Sequence, residues 1–271
     1  MKHMKRYVLV ILLALGSSIA TSACSIVYYI DAATGAIYVI NNEDFWYDTE
    51  AYIQTDVAND KELARLWYGW NDFAQRGINS AGLFFDAAVT PDQKMPKGYA
   101  LPKGNVGDRL LAQCKTVAEA LAFMEKEKMA VHQSHLIFGD ATGRAVIVEW
   151  IDGERHIIEM EGNHLIATNY LLLKPEAGNH PCPRYTSIEE RIKALDAQGG
   201  PKGFPGISNV TAGAMQLPRK LDNGKTVGTL YTSFIDITNM KMIFLPKLDN
   251  TKVIQFDLKK EFEKKRRIEL D

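Results

Sequence analysis

The 271-residue chain has little net charge and few cysteines, and both shortages narrow the possible functions. Its 32 lysine and arginine residues nearly balance 33 aspartate and glutamate residues, so the formal net charge is −1. The only dense cationic run, KKEFEKKRR, is interrupted by Glu261 and Glu263, and we interpret it as a solvated helical end. The composition therefore gives no electrostatic reason to expect a nucleic-acid partner.

The chain also lacks a long apolar run at its beginning, where YVLVILLAL is too short to span a membrane. Basic residues precede this run and the small, polar stretch GSSIATSA follows it. The pattern predicts a signal peptide over residues 1–23, with Thr21 and Ala23 at positions −3 and −1 of a cut before Cys24. We therefore expect an exported protein, periplasmic or secreted, whose residues 24–271 form a single domain with no stable membrane span.

A lipoprotein signal is the alternative interpretation, because such signals also end in cysteine. They normally place an aliphatic residue at position −3, whereas this chain has Thr21, so the pattern favours ordinary cleavage. In the alternative, Cys24 carries a lipid and the protein is a non-enzymatic surface or binding protein.

Three cysteines are present: Cys24, Cys114 and Cys182. In an oxidising compartment Cys114 and Cys182 could pair, which would leave Cys24 as the odd residue. Cys114 approaches a predicted helix and Cys182 lies between two prolines, so we interpret both as structural thiols or as a disulfide. Cys24 is also the predicted mature N-terminus, and this position calls for a functional explanation.

Short strand patterns dominate the rest of the sequence. SIVYYID and AIYVINN flank the turn AATG and predict a hairpin, and ARLWYGW and GLFFDAAV predict further strands. Residues 135–168 predict a meander of four strands with turns at Gly143, Gly153 and Gly162. Three more strands are predicted in TLYTSFIDIT, MKMIFLP and TKVIQFDL.

Two helices are predicted among these strands. TVAEALAFMEKEK begins with a capping box of Thr116 and Glu119, and TSIEERIKALDAQGG repeats that pattern with Thr186 and Glu189. Segments 91–108 and 198–226 are rich in proline, glycine and lysine and predict long loops. The order of strands and helices indicates an α+β fold of antiparallel sheets layered with helices.

A thiol at a mature N-terminus has its own base. The α-amino group has a pKa of roughly 7.7–8.0, so at neutral pH a fraction is able to accept the thiol proton without a histidine. A carboxylate or amide must then hold the amine, and donors must stabilise the oxyanion. Asn42 and Asp44 are the nearest candidates, because a hairpin brings its two outer ends together. The alternative is that Asn41, Asn42 and Asp44 merely end a strand, and for an isolated NNED this is the preferred interpretation.

The stretch ACSIVYYIDAATGAIYVINNEDF resembles the opening of the linear-amide hydrolases, which include choloylglycine hydrolases, penicillin V acylases, and the isopenicillin-N acyltransferase and acid-ceramidase families. Five further blocks resemble theirs in the same order, up to about Pro246: RGINSAGLFFDAA, HLIFGDATGRAVIVEW, LIATNYL, PRYTSIEERI and LYTSFIDITNMKMIFLP. The resemblance implies an N-terminal-nucleophile fold, a four-layer αββα sandwich of two antiparallel sheets between helices.

The resemblance also implies roles for individual residues. Cys24 matches the nucleophile and Asp44 the carboxylate that holds its amine. Asn169 matches the side-chain oxyanion donor, and Arg184 matches the arginine that steadies the site. Asn41 stands where the family has an arginine, so one cation beside the thiol is missing, as is often the case in the acyltransferase-like branch.

The implied reaction is hydrolysis of a small N-acyl amide through a thioester, or acyl transfer to another amine, without a metal or cofactor. Homo-oligomerisation is left open. A strict bile-salt hydrolase is disfavoured, because GLFFDAAV lacks the asparagine that those enzymes carry after Gly-Leu.

Two other features have competing interpretations. His132 and His135 are three residues apart, a spacing that would place both on one face of a helix and suit a metal site. Their segment continues into a predicted strand, where such a pair points to opposite faces, so we interpret both histidines as structural. Phe45, Trp46 and Tyr47 predict either core packing or an apolar acyl pocket, of which GLFFDAAV could form another wall.

Overall fold

Two antiparallel sheets packed face to face form the centre of the protein. The computed structural model describes residues 23–270, so apart from Ala23 the predicted signal peptide lies outside the described residues. Within this range, no helix combines the length and the apolar character needed to cross a membrane.

The first sheet has seven strands in the order β10-β1-β2-β12-β13-β14, with β11 paired to β12. Strands are numbered along the chain, and those of this sheet are β1 (Ser25–Ile30), β2 (Ile37–Trp46), β10 (His164–Ala167), β11 (Arg219–Lys220), β12 (Thr226–Asp236), β13 (Lys241–Pro246) and β14 (Ile254–Asp257). The predicted hairpin is its centre: β1 and β2 pair antiparallel, with Ile30 opposite Ile37 and Ser25 opposite Asn42.

The second sheet has eight strands in the order β15-β3-β4-β5-β6-β7-β8-β9. Its strands are β3 (Tyr52–Asp56), β4 (Arg65–Trp70), β5 (Phe73–Asn79), β6 (Phe84–Val89), β7 (Ser134–Gly139), β8 (Ala145–Ile151), β9 (Glu154–Glu159) and β15 (Arg266–Glu269). Because consecutive strands pair from β3 to β9, most of this sheet is a simple meander.

Helices cover the outer face of each sheet. They are α1 (Val106–Gln113), α2 (Val117–Lys126), α3 (Pro183–Ala197) and α4 (Gly203–Ile207), whereas the single turn α5 (Leu258–Glu261) packs Leu258 into the core between the sheets. Leu111 and Leu121 of α1 and α2 share an apolar cluster with Phe138 of the second sheet. Ile188 of α3 and Ile207 of α4 share another with Val27 of the first sheet. The predicted four-layer αββα sandwich is therefore confirmed.

Strand β1 is apolar on both faces because both of its faces are covered. Ile26 and Tyr28 belong to the core between the sheets, whereas Val27 and Tyr29 belong to the core under α3. Both edges of the strand are also paired, one with β2 and the other with β10. This strand therefore holds Cys24, the residue before it, in a fixed place.

The predicted meander of four strands over residues 135–168 is wrong at its last strand. Strands β7, β8 and β9 lie side by side in the second sheet, but β10 crosses to the first sheet and pairs with β1. The physical reason is the open edge of β1, whose backbone groups are buried and need a partner. Ala167 thereby lies opposite Ile26, and the chain after β10 begins beside Cys24.

Of the two predicted helix starts, one is confirmed and one is wrong. The capping box of α2 is confirmed, since Thr116 Oγ1 accepts from the Glu119 N–H at 3.2 Å. The box at Thr186 is wrong, because the N-cap of α3 is Cys182, four residues earlier, with Pro183 in the first turn. A proline suits that place, where no amide donor is needed.

Other boundaries also depart from the sequence pattern. Helix α1 starts within the predicted loop 91–108, and strands β3 and β5 were not predicted. The cationic run near the C-terminus is helical only in α5; it then forms β15, which pairs with β3 at the edge of the second sheet. Pairing with a neighbour outweighs the helical composition of that run.

Cys114 and Cys182 do not form a disulfide. Cys114 belongs to the cluster under α1 and α2, whereas Cys182 begins α3 on the opposite outer face. Both sheets lie between them, and a disulfide requires Cα atoms within about 7 Å. The two thiols are structural, which was one of the interpretations left open.

We expect Gly139→Ala to destabilise the protein by about 1–3 kcal/mol, as is usual for overpacking. A Cβ at Gly139 would lie 2.3 Å from the ring of Tyr28 in the opposite sheet. The ring has little room to move, because the Tyr28 hydroxyl donates to the Asp140 carbonyl at 2.7 Å. Urea unfolding measures the effect. Gly206→Ala is the matched control, since its Cβ would meet neighbours only at 3.4 Å; equal stability of both variants would contradict the expectation.

Candidate active site

Cys24 lies directly before β1 and is 2% exposed. The register that pairs Ser25 with Asn42 places Cys24 opposite Glu43. Ala23 extends the ladder by one more residue, since its N–H donates to the Asp44 carbonyl at 3.2 Å. The outer ends of the hairpin therefore bring Cys24 beside residues 42–44.

Arg184 in the first turn of α3 joins three parts of the chain. Its Nη1 donates to the Cys24 carbonyl at 2.5 Å and to Ser25 Oγ at 3.0 Å. Its Nη2 donates to Asn169 Oδ1 at 2.9 Å. Because α3 begins at Pro183, the guanidinium reaches the start of β1 from the outer face of the first sheet. Three of the four predicted site residues are thus linked by direct hydrogen bonds.

Asn169 lies in the loop that follows β10. Its Nδ2 donates to the Val89 carbonyl at 2.9 Å, and its own carbonyl accepts from Asn179 Nδ2 at 2.8 Å. An amide nitrogen carries two N–H groups, so the second N–H of Asn169 is able to serve another acceptor. The side chain is 5% exposed and is held at both of its polar ends.

The loop after Asn169 is anchored by Glu149, a fully buried carboxylate on β8. Glu149 accepts from the backbone N–H groups of Leu172 at 2.7 Å and Leu173 at 3.2 Å, and His135 Nδ1 lies 3.2 Å from it. Glu149 lies in the block HLIFGDATGRAVIVEW, but its anchoring role could not be predicted from the sequence.

Asp44 lies on the face of β2 that points to α3. Its Oδ1 accepts from Thr229 Oγ1 at 2.6 Å, and Thr229 Oγ1 accepts from the Gln216 N–H at 2.7 Å. Its Oδ2 is buried and has no hydrogen-bond partner among the described residues. Burial raises the pKa of Asp44 to about 7, although Thr229 and Arg184 oppose the rise. A buried carboxylate oxygen without a partner suits a cationic amine.

The thiol of Cys24 faces the space between the sheets. Cys24 Sγ donates to Glu43 Oε2 at 3.1 Å. Burial and the Glu43 charge raise the pKa of this thiol well above its usual value, whereas the Arg76 charge lowers it. Arg76 of β5 is 1% exposed and pairs with both Glu43 and Asp86.

Sequence reasoning missed these three charged residues as part of the site. A signal for Asp86 existed, since it is the only charged residue within the otherwise apolar GLFFDAAV. A lone acid in a strand buried on both faces requires a partner. Arg76 lies in a strand that the sequence pattern did not reveal, so its pairing could not be inferred.

The neighbouring asparagines differ in their contacts. Asn42 Nδ2 donates to the Thr211 carbonyl and its Oδ1 accepts from Thr232, both at 3.0 Å, so Asn42 is a satisfied part of the first sheet. Asn41 is fully buried, and neither polar atom of its amide has a partner among the described residues. The position that the resemblance fills with an arginine is therefore neutral here.

The two histidines of HQSH contact different carboxylates. His132 Nδ1 lies 2.7 Å from Asp92 Oδ1, whereas His135 contacts Glu149. Within residues 23–270, no group of three or more His, Cys, Asp or Glu side chains is arranged to hold a metal ion.

A cavity of about 560 Å³ begins one residue after Asp44. Phe45 stacks on Trp70 with ring centroids 4.7 Å apart, and both line this cavity together with Trp46. Charged residues form much of the rest of its lining: Asp48, Glu50, Asp72, Lys225 and Arg267. Tyr47 is not part of the lining, and its hydroxyl donates to the Thr229 carbonyl at 3.2 Å.

The predicted second wall of this cavity is wrong. Phe85 and Ala87 of β6 line a different cavity of about 290 Å³, which lies under α1 on the outer face of the second sheet. Phe84 and Ala88 point to the core between the sheets. The alternation of β6 therefore directs all four side chains away from the cavity at Phe45.

The sequence matches the family model for acyl-coenzyme A:6-aminopenicillanic acid acyl-transferase over residues 32–247. No curated protein sequence matches the chain.

Solved structures share the fold. Penicillin V acylase from Agrobacterium tumefaciens has a TM-score of 0.69 at 17% identity, covering 92% of this chain and 91% of its own. A variant of conjugated bile acid hydrolase from Clostridium perfringens has a TM-score of 0.69 at 14% identity, and the match covers 90% of this chain and 96% of that chain. A Caenorhabditis elegans ortholog of N-acylethanolamine-hydrolyzing acid amidase has a TM-score of 0.53 at 12% identity, and the match covers 79% of this chain and 93% of that chain. At these identities the likeness concerns the fold.

We expect a chain that retains Ala23 to lose stability as the pH rises, because of Asp44. The folded-state pKa is about 7, above the value of about 3.9 for an unfolded chain, so the folded state holds the proton longer. This contribution to the free energy of unfolding falls from about pH 4 to about pH 7 and stays lost above it. Thermal unfolding of the chain and of its Asp44→Asn variant, at about pH 5 and about pH 8, measures the effect.

The asparagine variant keeps the shape of the side chain but has no proton to lose, so it should show less of the pH-dependent fall. A chain that starts at Cys24 should also show less of it, because its α-ammonium group would pair with Asp44. The same fall in all three chains would mean that Asp44 is not its source.

Proposed function

The chain belongs to the acyl-coenzyme A:6-aminopenicillanic acid acyl-transferase family, and on that basis we propose that it is an exported cysteine amidohydrolase. Its substrate is a small, non-peptide N-acyl amide. The observation that carries the proposal is the hydrogen-bond chain from Cys24 through Arg184 to Asn169, with Asp44 beside it in the β1–β2 ladder.

The reaction begins once residues 1–23 have been removed and Cys24 carries an α-amino group. The amine accepts the thiol proton, and the sulfur attacks the carbonyl carbon of the substrate to form a C–S bond. The second N–H of Asn169 and a backbone N–H stabilise the oxyanion. The tetrahedral intermediate then collapses, the C–N bond breaks, and the α-ammonium group returns its proton to the leaving amine.

Water completes the turnover by attacking the thioester. The α-amine accepts a proton from this water, the C–S bond breaks, and the thiolate regains the proton as the acid leaves. An amine acceptor in place of water gives the acyl-transfer variant of the same chemistry. Each step uses groups of this chain and the substrate, so the scheme requires no metal or cofactor.

Asp44 and Arg184 support the reaction from the outer face of the first sheet. Asp44 Oδ2, which has no hydrogen-bond partner within residues 23–270, is suited to hold the α-ammonium group that each cycle creates. Arg184 fixes the Cys24 carbonyl and Asn169 with one guanidinium, so it sets the distance between nucleophile and oxyanion donor. Positioning of this kind contributes a large share of catalysis in enzymes.

The competing function is a lipid-anchored, non-enzymatic surface or binding protein. A lipid-modified Cys24 would have an acylated amine, which is unable to accept a proton. That function gives no reason for a buried carboxylate and an arginine to converge on Cys24, and we therefore favour the enzyme.

We expect Cys24→Ser to be exported and folded but to lose amidase activity by on the order of 100-fold or more, because a hydroxyl is a much poorer nucleophile. The measurement is kcat/KM on the best substrate, together with the intact mass of the exported wild-type protein. The mass should correspond to residues 24–271 without lipid.

Two results would contradict the proposal. A serine variant with undiminished turnover would show that Cys24 is not the nucleophile. A wild-type mass that is larger by a diacylglycerol and a fatty acid would establish the lipid anchor and end the enzyme interpretation.

We expect aromatic or fatty acyl amides to be better substrates than glycine- or taurine-conjugated bile acids. Phe45, one residue after Asp44, stacks on Trp70 and offers an aromatic surface, and the neutral Asn41 offers no charge for an anionic conjugate. A panel of penicillin V, N-acyl amino acids, N-acyl homoserine lactones and conjugated bile acids measures the preference as kcat/KM. A clear preference for the bile conjugates would contradict this expectation but not the proposed role of Cys24.

A matched pair of variants locates the acyl group. Trp70→Ala should lower kcat/KM for the best aromatic substrate about tenfold, the effect of about 1.4 kcal/mol of lost apolar contact. Tyr47→Phe is the control, because Tyr47 is the neighbouring aromatic residue that does not line the cavity.

A further inference from the structure

A fully buried ion network lies behind the thiol of Cys24, and none of the steps above uses it. Arg76 Nη2 pairs with Glu43 Oε2 at 2.5 Å, and Arg76 Nε donates to Asp86 Oδ1 at 2.8 Å. Arg76 Nη1 donates to the Tyr231 hydroxyl at 2.6 Å. Glu43 Oε2 also accepts from Cys24 Sγ at 3.1 Å, so one carboxylate oxygen serves both the thiol and the guanidinium.

The network connects the two sheets at the end where the site lies. Glu43 pairs with Tyr231 of β12 and lies opposite Cys24, so the three form one row on the inner face of the first sheet. Arg76 and Asp86 come from β5 and β6 of the second sheet. The guanidinium also lies 5.4 Å from the centre of the Tyr231 ring, within the range of a cation–π contact.

This arrangement has an electrostatic consequence for the sulfur. When the thiol loses its proton, the resulting anion lies 3.1 Å from a carboxylate, and a like charge at that distance opposes ionisation. Asp86 on β6 adds to this opposition, and its own pKa is raised to about 7 by burial. Arg76 is the network member with the opposite effect, because its charge favours the thiolate.

Charges on the outer face are separated from the sulfur. Arg184 of α3 contacts the backbone carbonyl of Cys24, and the Asp44 side chain bonds to Thr229 on that same face. On the inner face, the neighbouring Asn41 is neutral. Besides the α-amino group that Cys24 carries in the mature chain, the charges acting on the sulfur are therefore those of Glu43, Arg76 and Asp86.

We infer that Arg76 is a positioning residue for the nucleophile: by binding Glu43 it fixes the hydrogen bond of the Cys24 thiol and compensates the carboxylate that the thiolate must face. The inference rests on the proposed function, since it concerns the nucleophile of that reaction. Arg76 acts through Glu43 and does not contact the substrate.

The test measures ionisation of the thiol separately from amide turnover. The protein that starts at Cys24 is alkylated with iodoacetamide across a range of pH, and the extent of labelling of the Cys24 peptide is followed by mass spectrometry. Only the thiolate reacts, so the rate reports the apparent pKa of the thiol. Circular dichroism at each pH confirms that the variants are folded.

Removing the charge of Arg76 and removing the charge of Glu43 should shift the apparent pKa of the Cys24 thiol in opposite directions. Arg76→Gln should raise it by about 1 to 3 pH units, and Glu43→Gln, which keeps the shape and the acceptor, should lower it by a similar amount. The double variant Glu43→Gln/Arg76→Gln should return towards the wild-type value. Arg76→Lys, which keeps the charge, should shift it less than Arg76→Gln.

Glu261→Gln is the matched control. Glu261 of α5 is 6% exposed and pairs at 2.5 Å with Arg266 of β15, the edge strand of the second sheet, so its removal should leave the alkylation profile unchanged. A folded Arg76→Gln variant with the wild-type profile would overturn the inference. If that variant does not fold, an unchanged profile in Glu43→Gln would overturn it instead.

The outcome is distinct from the test of the proposed function. Loss of turnover in Cys24→Ser concerns the identity of the nucleophile, whereas the alkylation profiles concern the charges around the sulfur. Opposite shifts in a protein that cleaves none of the amides would support the inference and count against the proposed substrate class.

Discussion

The pairing of β1 on both edges is the constraint on which the site depends. A strand with one bare edge could slide or tilt, and every contact of Cys24 would change with it. With β2 on one side and β10 on the other, the backbone of β1 is held by two ladders. The same pairing brings the loop that carries Asn169 to the start of β1, so one arrangement of three strands sets the positions of both Cys24 and Asn169.

Alternation along β2 then divides the site between two faces of one sheet. Asn42 and Asp44 point to the layer of α3, where Arg184 meets the backbone of Cys24. Glu43 and Phe45 point to the second sheet, where the thiol and the aromatic cavity lie. Asp44 and Arg184 thus lie on the outer face, while the Cys24 thiol and the cavity at Phe45 lie on the inner face. A shift of register by one residue would exchange these two sets.

Much of this arrangement could be predicted from local patterns. The β1–β2 hairpin follows from two apolar strands around a short turn, and it alone brings Asp44 near Cys24. The capping box of α2 is similarly local. The position of β10 could not be predicted, because the residues near His164 give no sign that β1 needs a partner. β1 lies in the first sheet, whereas the strands that precede β10 lie in the second. Arg76 was missed for the same reason, since its partners Glu43 and Asp86 lie on separate strands.

The hydrogen bond from Ala23 to Asp44 has a consequence for the order of events during biogenesis. It makes the peptide bond between Ala23 and Cys24 part of a folded sheet, with Ala23 8% and Cys24 2% exposed. A processing peptidase needs that bond as an accessible, extended segment in its own cleft. If residues 1–23 are removed as proposed, this cleavage has to come before the hairpin closes and β1 is built into the sheet.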